Sequence, residues 1–410
     1  MKKIAILHYA SPPGVGGVEV TMLHQARGLT KLGYAVRIIS GVGGELDPTI
    51  ETVINPLFGS KHPDVLNVKA ELDTGRVSGA FTELVGQIER RLAEALEGCE
   101  VLIAHNVLSL NKNLPLTAAL EKIHRHGKFK LLAWCHDIAW TSDHYRPELH
   151  EGQPYDLLRH QWQNVTYVTV SKPQRVELAN LLDIPPHQIA VVPPGVDYPD
   201  FFKWTSTTKF LEDELHLLDA DGLLLLPARL TRRKNIQFGL RILSEIRDQS
   251  SKDYRLIVTG PPGPHNPTNQ AYLDDLLNLR RVLKIEQSAH FLYQLGNGDK
   301  SLVPDDDTLA NLYQLADGLL FPSFQEGFGI PILEAGLVGL PIFCADIPPL
   351  RETAGPDALY FDPVQGEPKR IAEEILRVLQ GSATARLRRK VRQNYRWDTL
   401  IREKIVPLIE

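Results

Sequence analysis

Short runs rich in isoleucine, valine and leucine alternate along this chain with longer segments whose apolar residues recur at helical spacing. Apolar runs without strict alternation are typical of parallel strands that helices cover on both faces. The pattern therefore predicts an α/β protein with two doubly wound domains, six strands in each. The runs are Ile4–Leu7, Val36–Ser40, Val101–Ala104, Leu131–Cys135, Tyr167–Val170 and Ala190–Val192, then Leu223–Pro227, Tyr254–Thr259, Ala289–Tyr293, Gly318–Pro322, Pro341–Cys344 and Leu359–Phe361.

The domain boundary is predicted from composition. The sequence Pro193–Asp197 punctuates the end of a strand, and a linker-like run of threonine, serine and lysine follows it, which places the boundary near Pro199–Thr208. We therefore expect a first domain over residues 1–200, a second over 201–385, and a C-terminal helix over 386–410 that packs back on the first domain.

The C-terminal segment is basic. Leu387, Val391 and Tyr395 recur every four residues, which predicts one buried helix face. We favour a solvated basic face on a packed helix over a patch for a membrane surface or an anionic partner. The basic residues are Arg386, Arg388, Arg389, Lys390, Arg392 and Arg396.

Composition excludes several classes of protein. With 45 basic and 50 acidic residues in 410, the net charge of −5 disfavours nucleic acid and anionic membranes as partners. Cys99, Cys135 and Cys344 lie too far apart for a disulfide framework or a zinc ribbon. The N-terminal apolar run is short and Pro12 and Pro13 follow it, so it reads as a strand rather than a signal segment. We expect a cytoplasmic enzyme without a transmembrane segment.

The segment Ala316–Leu340 is the most informative for function. A buried strand is followed by the turn Glu326–Gly329 and by a helix that Pro331 can begin. Glycines let the backbone approach a ligand, and a helix N-terminus favours an anion. Glu334, predicted in the first helical turn, would add a second carboxylate. The arrangement suits a nucleotide sugar; the alternative is a capping glutamate beside an unrelated surface carboxylate.

This segment resembles the signature of a known family. The spacing of Glu326 and Glu334 is similar to the Glu, seven residues, Glu signature of retaining glycosyltransferases of family 4, which have the GT-B fold of two Rossmann-like domains facing a cleft. Other family motifs occur in the same order and extend the resemblance over almost the whole chain. These are Gly16–Glu19, Trp134–Asp137, Val170–Ser171, Pro194–Asp197 and the pyrophosphate-binding stretch Pro227–Asn235.

The resemblance implies roles for individual residues. Arg229 and Lys234 would stabilise the negative charge that develops on a leaving nucleoside diphosphate. Glu326 would hold sugar hydroxyls near the reacting carbon, and Glu334 would hold the ribose. His136 would lie against the donor sugar from the other domain, at the carboxyl end of a parallel strand, where such folds bind ligands. The candidate catalytic residues are therefore His136, Glu326, Arg229 and Lys234; the alternatives are surface charges in a basic loop and a structural histidine.

Gly16 and Gly17 would face the donor by the same resemblance, with a plain tight turn as the alternative. Their loop does not fit a dinucleotide site, because Glu19 replaces the last glycine of G-x-G-x-x-G and the second strand ends without an acidic residue. NAD binding is therefore disfavoured. The predicted donor-binding residues are Gly16, Gly17, Arg229, Lys234, Gly327, Phe328, Gly329 and Glu334.

An acidic triplet, Asp305–Asp307, matches the D-x-D metal pattern of the other large glycosyltransferase fold. Helical spacing over Leu309–Ala316 follows directly, so we interpret the acids as an N-cap and first-turn charges. The prediction is an enzyme that needs no metal and no cofactor besides its nucleotide-sugar substrate.

Two loops bear on the identity of the donor and the acceptor, which the sequence does not determine. Tyr145 and Arg146, within Trp140–Tyr155, are candidate acceptor-binding residues because they follow His136. The loop Gly260–His265 departs from the family pattern, in which an acidic residue often follows the first glycine. By family frequency UDP-glucose and GDP-mannose are the expected donors, ahead of ADP-glucose and UDP-N-acetylglucosamine. A small acidic or sugar acceptor is favoured over a lipid.

Taken with the resemblance, these residues predict a retaining transferase that moves a hexose from a nucleoside-diphosphate sugar to a hydroxyl with an α-linkage, by front-side attack and with domain closure. The alternatives are a sugar-nucleotide epimerase or hydrolase of the same fold, and a non-catalytic protein that only binds the nucleotide sugar. The sequence does not indicate the oligomeric state.

Overall fold

A computed structural model describes residues 2–14, 16–45, 47–127, 129–263, 268–296 and 301–410. The chain forms two compact units, Met1–Val196 with Tyr395–Glu410, and Asp197–Asn394. Each unit is built on one parallel sheet with helices around it, so the predicted class of two Rossmann-like α/β domains is confirmed. No helix within the described ranges is long and apolar enough to cross a membrane.

The sheet of the first unit contains seven described strands, one more than predicted. The additional strand, β3, is short and largely unburied at the sheet edge, which is why its sequence lacks a strong apolar run. All neighbouring strands pair in parallel, in the order β3-β2-β1-β4-β5-β6-β7. The strands are β1 (Lys3–His8), β2 (Ala35–Ser40), β3 (Glu51–Ile54), β4 (Val101–His105), β5 (Lys130–Cys135), β6 (Val165–Thr169) and β7 (Ala190–Val191).

Helices of the first unit share two apolar cores with the strands of this sheet. Their starts are set by local side chains: the Asn113 side chain accepts the Leu116 N–H, and Ser171 accepts the Gln174 N–H. The helices before residue 196 are α1 (Gly17–Lys31), α2 (Pro63–Leu72), α3 (Gly79–Ala95), α4 (Leu114–His126) and α5 (Lys172–Leu182).

The second unit has six described strands, all parallel, in the order β10-β9-β8-β11-β12-β13. They are β8 (Gly222–Leu226), β9 (Tyr254–Val258), β10 (Ala289–Phe291), β11 (Gly318–Phe321), β12 (Ile342–Ala345) and β13 (Leu359–Phe361). The helices are α6 (Tyr198–Phe202), α7 (Ser206–Leu215), α8 (Ile236–Ser250), α9 (Thr268–Val282), α10 (Asp306–Leu315), α11 (Ile330–Leu337), α12 (Pro348–Ala354), α13 (Pro368–Gly381) and α14 (Ala383–Asn394).

The acidic triplet begins α10 as predicted. The Asp305 carboxylate accepts the N–H of Thr308 at 2.8 Å, and Asp306 and Asp307 occupy the first turn. The interpretation of these acids as a helix cap is therefore confirmed.

The C-terminal segment differs from the predicted single helix over 386–410. Residues up to Asn394 belong to the second unit, and Tyr395–Glu410 belong to the first. Helix α14 belongs to the second unit, where Arg392 forms a buried ion pair with Asp317 at 2.9 Å. Arg389 donates to the Asp221 carbonyl at 2.7 Å, and Arg388 donates to the Gln314 carbonyl. The expected solvated basic face is thus wrong for these arginines, which hold the helix to its own unit.

After α14 the chain returns to the first unit. It forms α15 (Trp397–Leu400), a π-helical turn (Ile401–Ile405) and α16 (Val406–Ile409). Trp397 and Ile401 join the core that contains Met22 of α1. Gly28 on α1 makes room for this contact, because a Cβ there would lie 2.1 Å from the Ile401 side chain.

Candidate active site

Both sheets contain a topological switch point, where the strand order reverses and ligands bind beyond the carboxyl ends of the strands. In the first unit it lies between β1 and β4, and in the second between β8 and β11. The predicted site residues follow these strands or their neighbours.

In the second unit, Lys234 and Glu326 come together across the switch point. Their Nζ and Oε1 atoms are 2.5 Å apart, and the side chains are only 10% and 9% exposed. The Lys234 ammonium also lies 5.0 Å from the centre of the Phe321 ring. Burial lowers the pKa of Lys234, and the hydrogen bond to Glu326 opposes that shift. The two predicted catalytic side chains therefore form one ion pair.

The loops that carry this pair are joined by backbone contacts. The Phe324 N–H donates to the Arg233 carbonyl at 2.8 Å, and the Arg233 guanidinium donates to the Gln325 carbonyl at 3.1 Å. Asn235, next to Lys234, has a left-handed backbone and donates from its side chain to the Pro363 carbonyl. The position of Lys234 relative to Glu326 is thus set by the fold and not by the ion pair alone.

Arg229 is exposed at the same sheet edge. It makes no hydrogen bond or ion pair with the residues that the structure describes. Its loop is packed against the loop after β9: the Leu230 N–H donates to Pro261, and a Cβ on Gly260 would lie 2.5 Å from the Ala228 carbonyl oxygen. The structure places Arg229 beside a fixed loop with its guanidinium available. Pro264 and His265, part of the unusual loop noted in the sequence, lie outside the described residues.

The glycine turn before α11 has two different glycines. Gly329 has φ = +103°, and a Cβ there would lie 2.7 Å from Leu350, so a side chain is excluded. Around Gly327 the space is open, as a close backbone approach by a ligand requires. Phe328 between them is half exposed, and its carbonyl accepts a hydrogen bond from Thr353.

Glu334 lies one turn further along α11 than predicted. The helix begins at Ile330, with Pro331 at its second position and no acidic residue in its first turn. The Glu334 carboxylate accepts the hydroxyl of buried Tyr313 at 2.5 Å. Burial and this hydrogen bond raise the pKa of the Tyr313 hydroxyl, so the tyrosine stays a donor that orients Glu334.

In the first unit, Gly16 and Gly17 lie at the start of α1, at the end of the loop that follows β1. Gly16 is the N-cap residue with extended backbone and no side-chain cap, and Glu19 lies in the first turn. A Cβ on Gly16 would lie 2.2 Å from the Glu19 carboxylate, the far end of a flexible side chain, and around Gly17 the space is open. The loop leaves backbone N–H groups at this helix end uncapped by side chains.

His136 follows β5 and is held on several sides. Its N–H donates to the Asn106 side chain at 2.8 Å, and its carbonyl accepts from Gln174 at 2.5 Å. Its Nε2 lies 2.9 Å from Nδ1 of His105. Burial and the nearby His8 lower the pKa of His136 to about 4, so the imidazole is neutral at physiological pH.

Three of these neighbours were missed from the sequence. His8 ends β1, His105 ends β4 and Asn106 follows it, so all lie at the switch point of the first unit. His8 Nδ1 donates to the His105 carbonyl at 2.8 Å and links the two strands. In the sequence these residues are polar side chains at or directly after the ends of buried strands. Polar residues occur at many strand ends, so this pattern alone does not single them out.

Tyr145 and Arg146, the candidate acceptor residues, lie on a loop after His136. Burial, followed by the charges of Asp137 and Glu148, raises the pKa of the Tyr145 hydroxyl. The Arg146 guanidinium is engaged within its own loop: it lies 4.8 Å from the centre of the Trp140 ring and donates to the Leu149 carbonyl at 3.2 Å.

Within the described ranges there is no group of three or more histidine, cysteine, aspartate or glutamate side chains that could hold a metal ion.

Two protein-family models match the chain and together span most of it. The model "Glycosyltransferase Family 4" matches residues 15–198, and "Glycosyl transferases group 1" matches residues 209–397.

Several known proteins are similar to this chain. The mannosylglucosylglycerate synthase of Thermotoga maritima is 25% identical over 88% of this chain and 84% of its own. The O-antigen chain mannosyltransferase B of Escherichia coli is 32% identical over 42% of each chain. Among solved structures, a glycosyltransferase from Rickettsia africae aligns with 99% of this chain and 97% of its own, at 18% identity and a TM-score of 0.40.

Proposed function

Because the chain belongs to the family 4, group 1 glycosyltransferases, we propose that it is a retaining hexosyltransferase that uses a nucleoside-diphosphate sugar. The sugar passes to a hydroxyl acceptor with an α-linkage, and no metal takes part. The observation that carries the proposal is the buried Lys234–Glu326 pair at the switch point of the second unit, with Arg229 available at the same sheet edge.

The chemistry of the leaving group explains this arrangement. Breaking the bond between the anomeric carbon and its phosphate oxygen leaves negative charge on a nucleoside diphosphate. A lysine held in a water-poor position, together with a planar guanidinium, stabilises that charge more strongly than solvated cations would. Lys234 is held in such a position, and the exposed Arg229 supplies the guanidinium from the same sheet edge. In this proposal no metal ion is needed for the same purpose.

The second carboxylate suits the nucleoside. Glu334 is oriented by Tyr313 and has one carboxylate oxygen left to accept the ribose hydroxyls. The open space around Gly327 lets backbone amides approach the diphosphate. In the first unit, neutral His136 would contact a sugar hydroxyl, and the region of Tyr145 would contact the acceptor.

Transfer balances without a protein nucleophile. The acceptor oxygen bonds to the anomeric carbon on the face that the diphosphate leaves, and the phosphate oxygen takes the acceptor proton. The products are the α-glycoside and the nucleoside diphosphate. Glu326, already paired with Lys234, would hold sugar hydroxyls during this step rather than attack the carbon.

The names of the relatives narrow the substrates to test first. Two of them name mannosyl transfer, and one names a glycerate product, which carries a carboxylate. We therefore favour GDP-mannose as the donor, with UDP-glucose second, and a small sugar acid as the acceptor.

The test begins with thermal unfolding in the presence of UDP, GDP, ADP and their hexose conjugates, with and without a chelator. A ligand at 100 times its dissociation constant stabilises the fold by about 2.7 kcal/mol. Stabilisation by one base that persists with the chelator supports the proposal, whereas no response to any nucleotide contradicts it.

Product analysis separates the alternatives. Release of free nucleoside diphosphate at full rate without an acceptor would indicate a hydrolase or epimerase. Binding without any turnover, across a panel of sugar acids and sugars, would indicate a non-catalytic binding protein. An α-linked product that forms only with an acceptor supports the transferase.

A further inference from the structure

A continuous chain of hydrogen bonds connects Gln25 to His136 through the switch point of the first unit. Gln25 Oε1 lies 3.0 Å from Nε2 of His105, and Nδ1 of His105 lies 2.9 Å from Nε2 of His136. Gln25 and His105 are completely buried. We call Gln25, His105 and His136 the imidazole chain.

The chemistry of these groups gives the chain a direction. A carbonyl oxygen can only accept, so Nε2 of His105 carries the hydrogen that the Gln25 oxygen receives. In a neutral imidazole the other nitrogen is then bare, so Nδ1 of His105 accepts from Nε2–H of His136. By the same rule, Nδ1 of His136 is bare and is a hydrogen-bond acceptor.

Neutrality of both rings is supported by their surroundings. Burial lowers the pKa of His105 well below its usual value, and the neighbouring histidines lower it further. Burial and the nearby His8 lower the pKa of His136 as well. Two charged imidazoles could not share the hydrogen bond between them, because that bond needs one bare nitrogen.

The ring of His136 is open to a ligand on one side. Its backbone is held by Asn106 and Gln174, and its Nε2 is used by His105. Nδ1 has no partner among the residues that the structure describes.

We propose that Gln25 and His105 are positioning residues that hold His136 in the Nε2–H tautomer, so that its bare Nδ1 accepts a hydrogen bond from a sugar hydroxyl. This inference rests on the proposed function for the identity of the ligand. A bare nitrogen attracts hydroxyl donors and repels phosphate and carboxylate oxygens, whereas an N–H at the same position would do the reverse. The imidazole chain thus selects the sugar over the anionic parts of the substrates.

The tautomer can be measured on the free protein. In the full chain labelled with ¹⁵N-histidine, protonated and bare ring nitrogens have well-separated chemical shifts. The signals of His136 are assigned by their loss in His136→Asn, and exposed His126, replaced in His126→Asn, is the control for handling. We expect a protonated Nε2 and a bare Nδ1 in His136 at neutral pH. A protonated Nδ1 would overturn the proposal.

Two substitutions of His105 separate positioning from packing. An asparagine oxygen can occupy the place of Nδ1 and still accept from His136, so His105→Asn should keep the tautomer and a kcat within about threefold of the original. Leucine fills more of the space but cannot accept, so His105→Leu should mix the tautomers and lower kcat about tenfold, with little change in KM. If leucine performs as well as asparagine, the role of His105 is packing and the proposal is wrong.

The two proposals fail in different ways. Absence of transfer from every nucleotide sugar would contradict the proposed function, while the ¹⁵N spectrum of the same protein would still report the tautomer. Transfer activity together with a protonated Nδ1 in His136 would support the proposed function and contradict the proposed tautomer.

Discussion

The two switch points of the molecule are built from the same backbone plan but different side chains. In the second unit a buried lysine is paired with a carboxylate, Lys234 with Glu326. In the first unit the corresponding edge carries neutral histidines, linked by the hydrogen bonds of His105 to His136 and of His8 to the His105 backbone. The edge in the second unit thus holds a buried ion pair, and the edge in the first unit holds buried imidazoles that are neutral.

The difference teaches how burial is used. Burial disfavours a charged group, so an imidazole without a carboxylate partner loses its proton, while a lysine keeps its charge only if a carboxylate lies beside it. A site that stabilises a leaving phosphate needs the second solution. A site that contacts sugar hydroxyls is better served by the first.

The largest effect is expected from removing the charge of Glu326. Glu326→Gln should lower kcat by about 10²–10³-fold, because Lys234 and the sugar both lose their charged partner. Nucleotide binding, measured by calorimetry, should change only a few-fold. Asp275→Asn is the matched control, since that carboxylate pairs with Arg232 on the surface of the same unit. Near-normal transfer by the Glu326 variant would show that the charge of Glu326 is not needed for catalysis, and would contradict the contrast between the two edges.

Breaking the ion pair from its other side should mainly affect stability. Lys234→Met leaves the buried Glu326 carboxylate with only the exposed Arg233, 3.4 Å away, as a partner. We therefore expect a loss of up to about 3 kcal/mol in the free energy of unfolding. The double variant Lys234→Met with Glu326→Leu should recover most of that loss without recovering transfer. Chemical denaturation measures the first effect and a transfer assay the second; a stable single variant would show that the pair is not buried in solution.

The pH dependence of stability tests the neutral edge. Below about pH 6.5 the histidines of the unfolded chain take up protons, while His136 in the fold stays neutral down to about pH 4. The unfolded state then binds more protons, so the free energy of unfolding falls as the pH is lowered through this window. His136→Asn should reduce that fall by up to about 3 kcal/mol.

A matched comparison for this prediction comes from the second unit. Burial, followed by the charges of Arg255 and Arg280, lowers the pKa of His290 to about 4. His290 lies on β10, at the edge of the sheet and away from the predicted site. His290→Asn should flatten the same pH profile without changing transfer, whereas His136→Asn should change both. An unaltered profile in His136→Asn would contradict a neutral, buried His136.

The glycine loops should show the smallest effects, and unequal ones. Gly329→Ala forces a side chain into a left-handed backbone against Leu350, so it should cost about 1–3 kcal/mol. Gly16→Ala has extended backbone and meets only the end of the Glu19 side chain, so it should cost at most about 0.5 kcal/mol. Urea unfolding of both variants measures the difference, and equal costs would contradict the described geometry of one of the loops.

Several parts of the molecule could be predicted from the sequence because they depend on local patterns. Runs of apolar residues predicted the parallel strands, and the acidic triplet predicted the cap of α10. The strand, glycine turn and helix around Glu326 and Glu334 were also predictable from local patterns, while the nucleotide-sugar site that they indicate stays a prediction. β3 was missed because an edge strand buries little and needs no strong apolar run.

Other features were decided by tertiary structure. The pairing of Lys234 with Glu326 and the imidazole chain join residues far apart in sequence, since a parallel sheet gathers the ends of distant strands in an order that local patterns do not contain. The arginines of α14 look like a solvated face in sequence, and only packing shows that they hold the helix to its own unit. The sequence by itself determined which residues end the strands; the strand order decided which of them meet, because contact depends on neighbours in space.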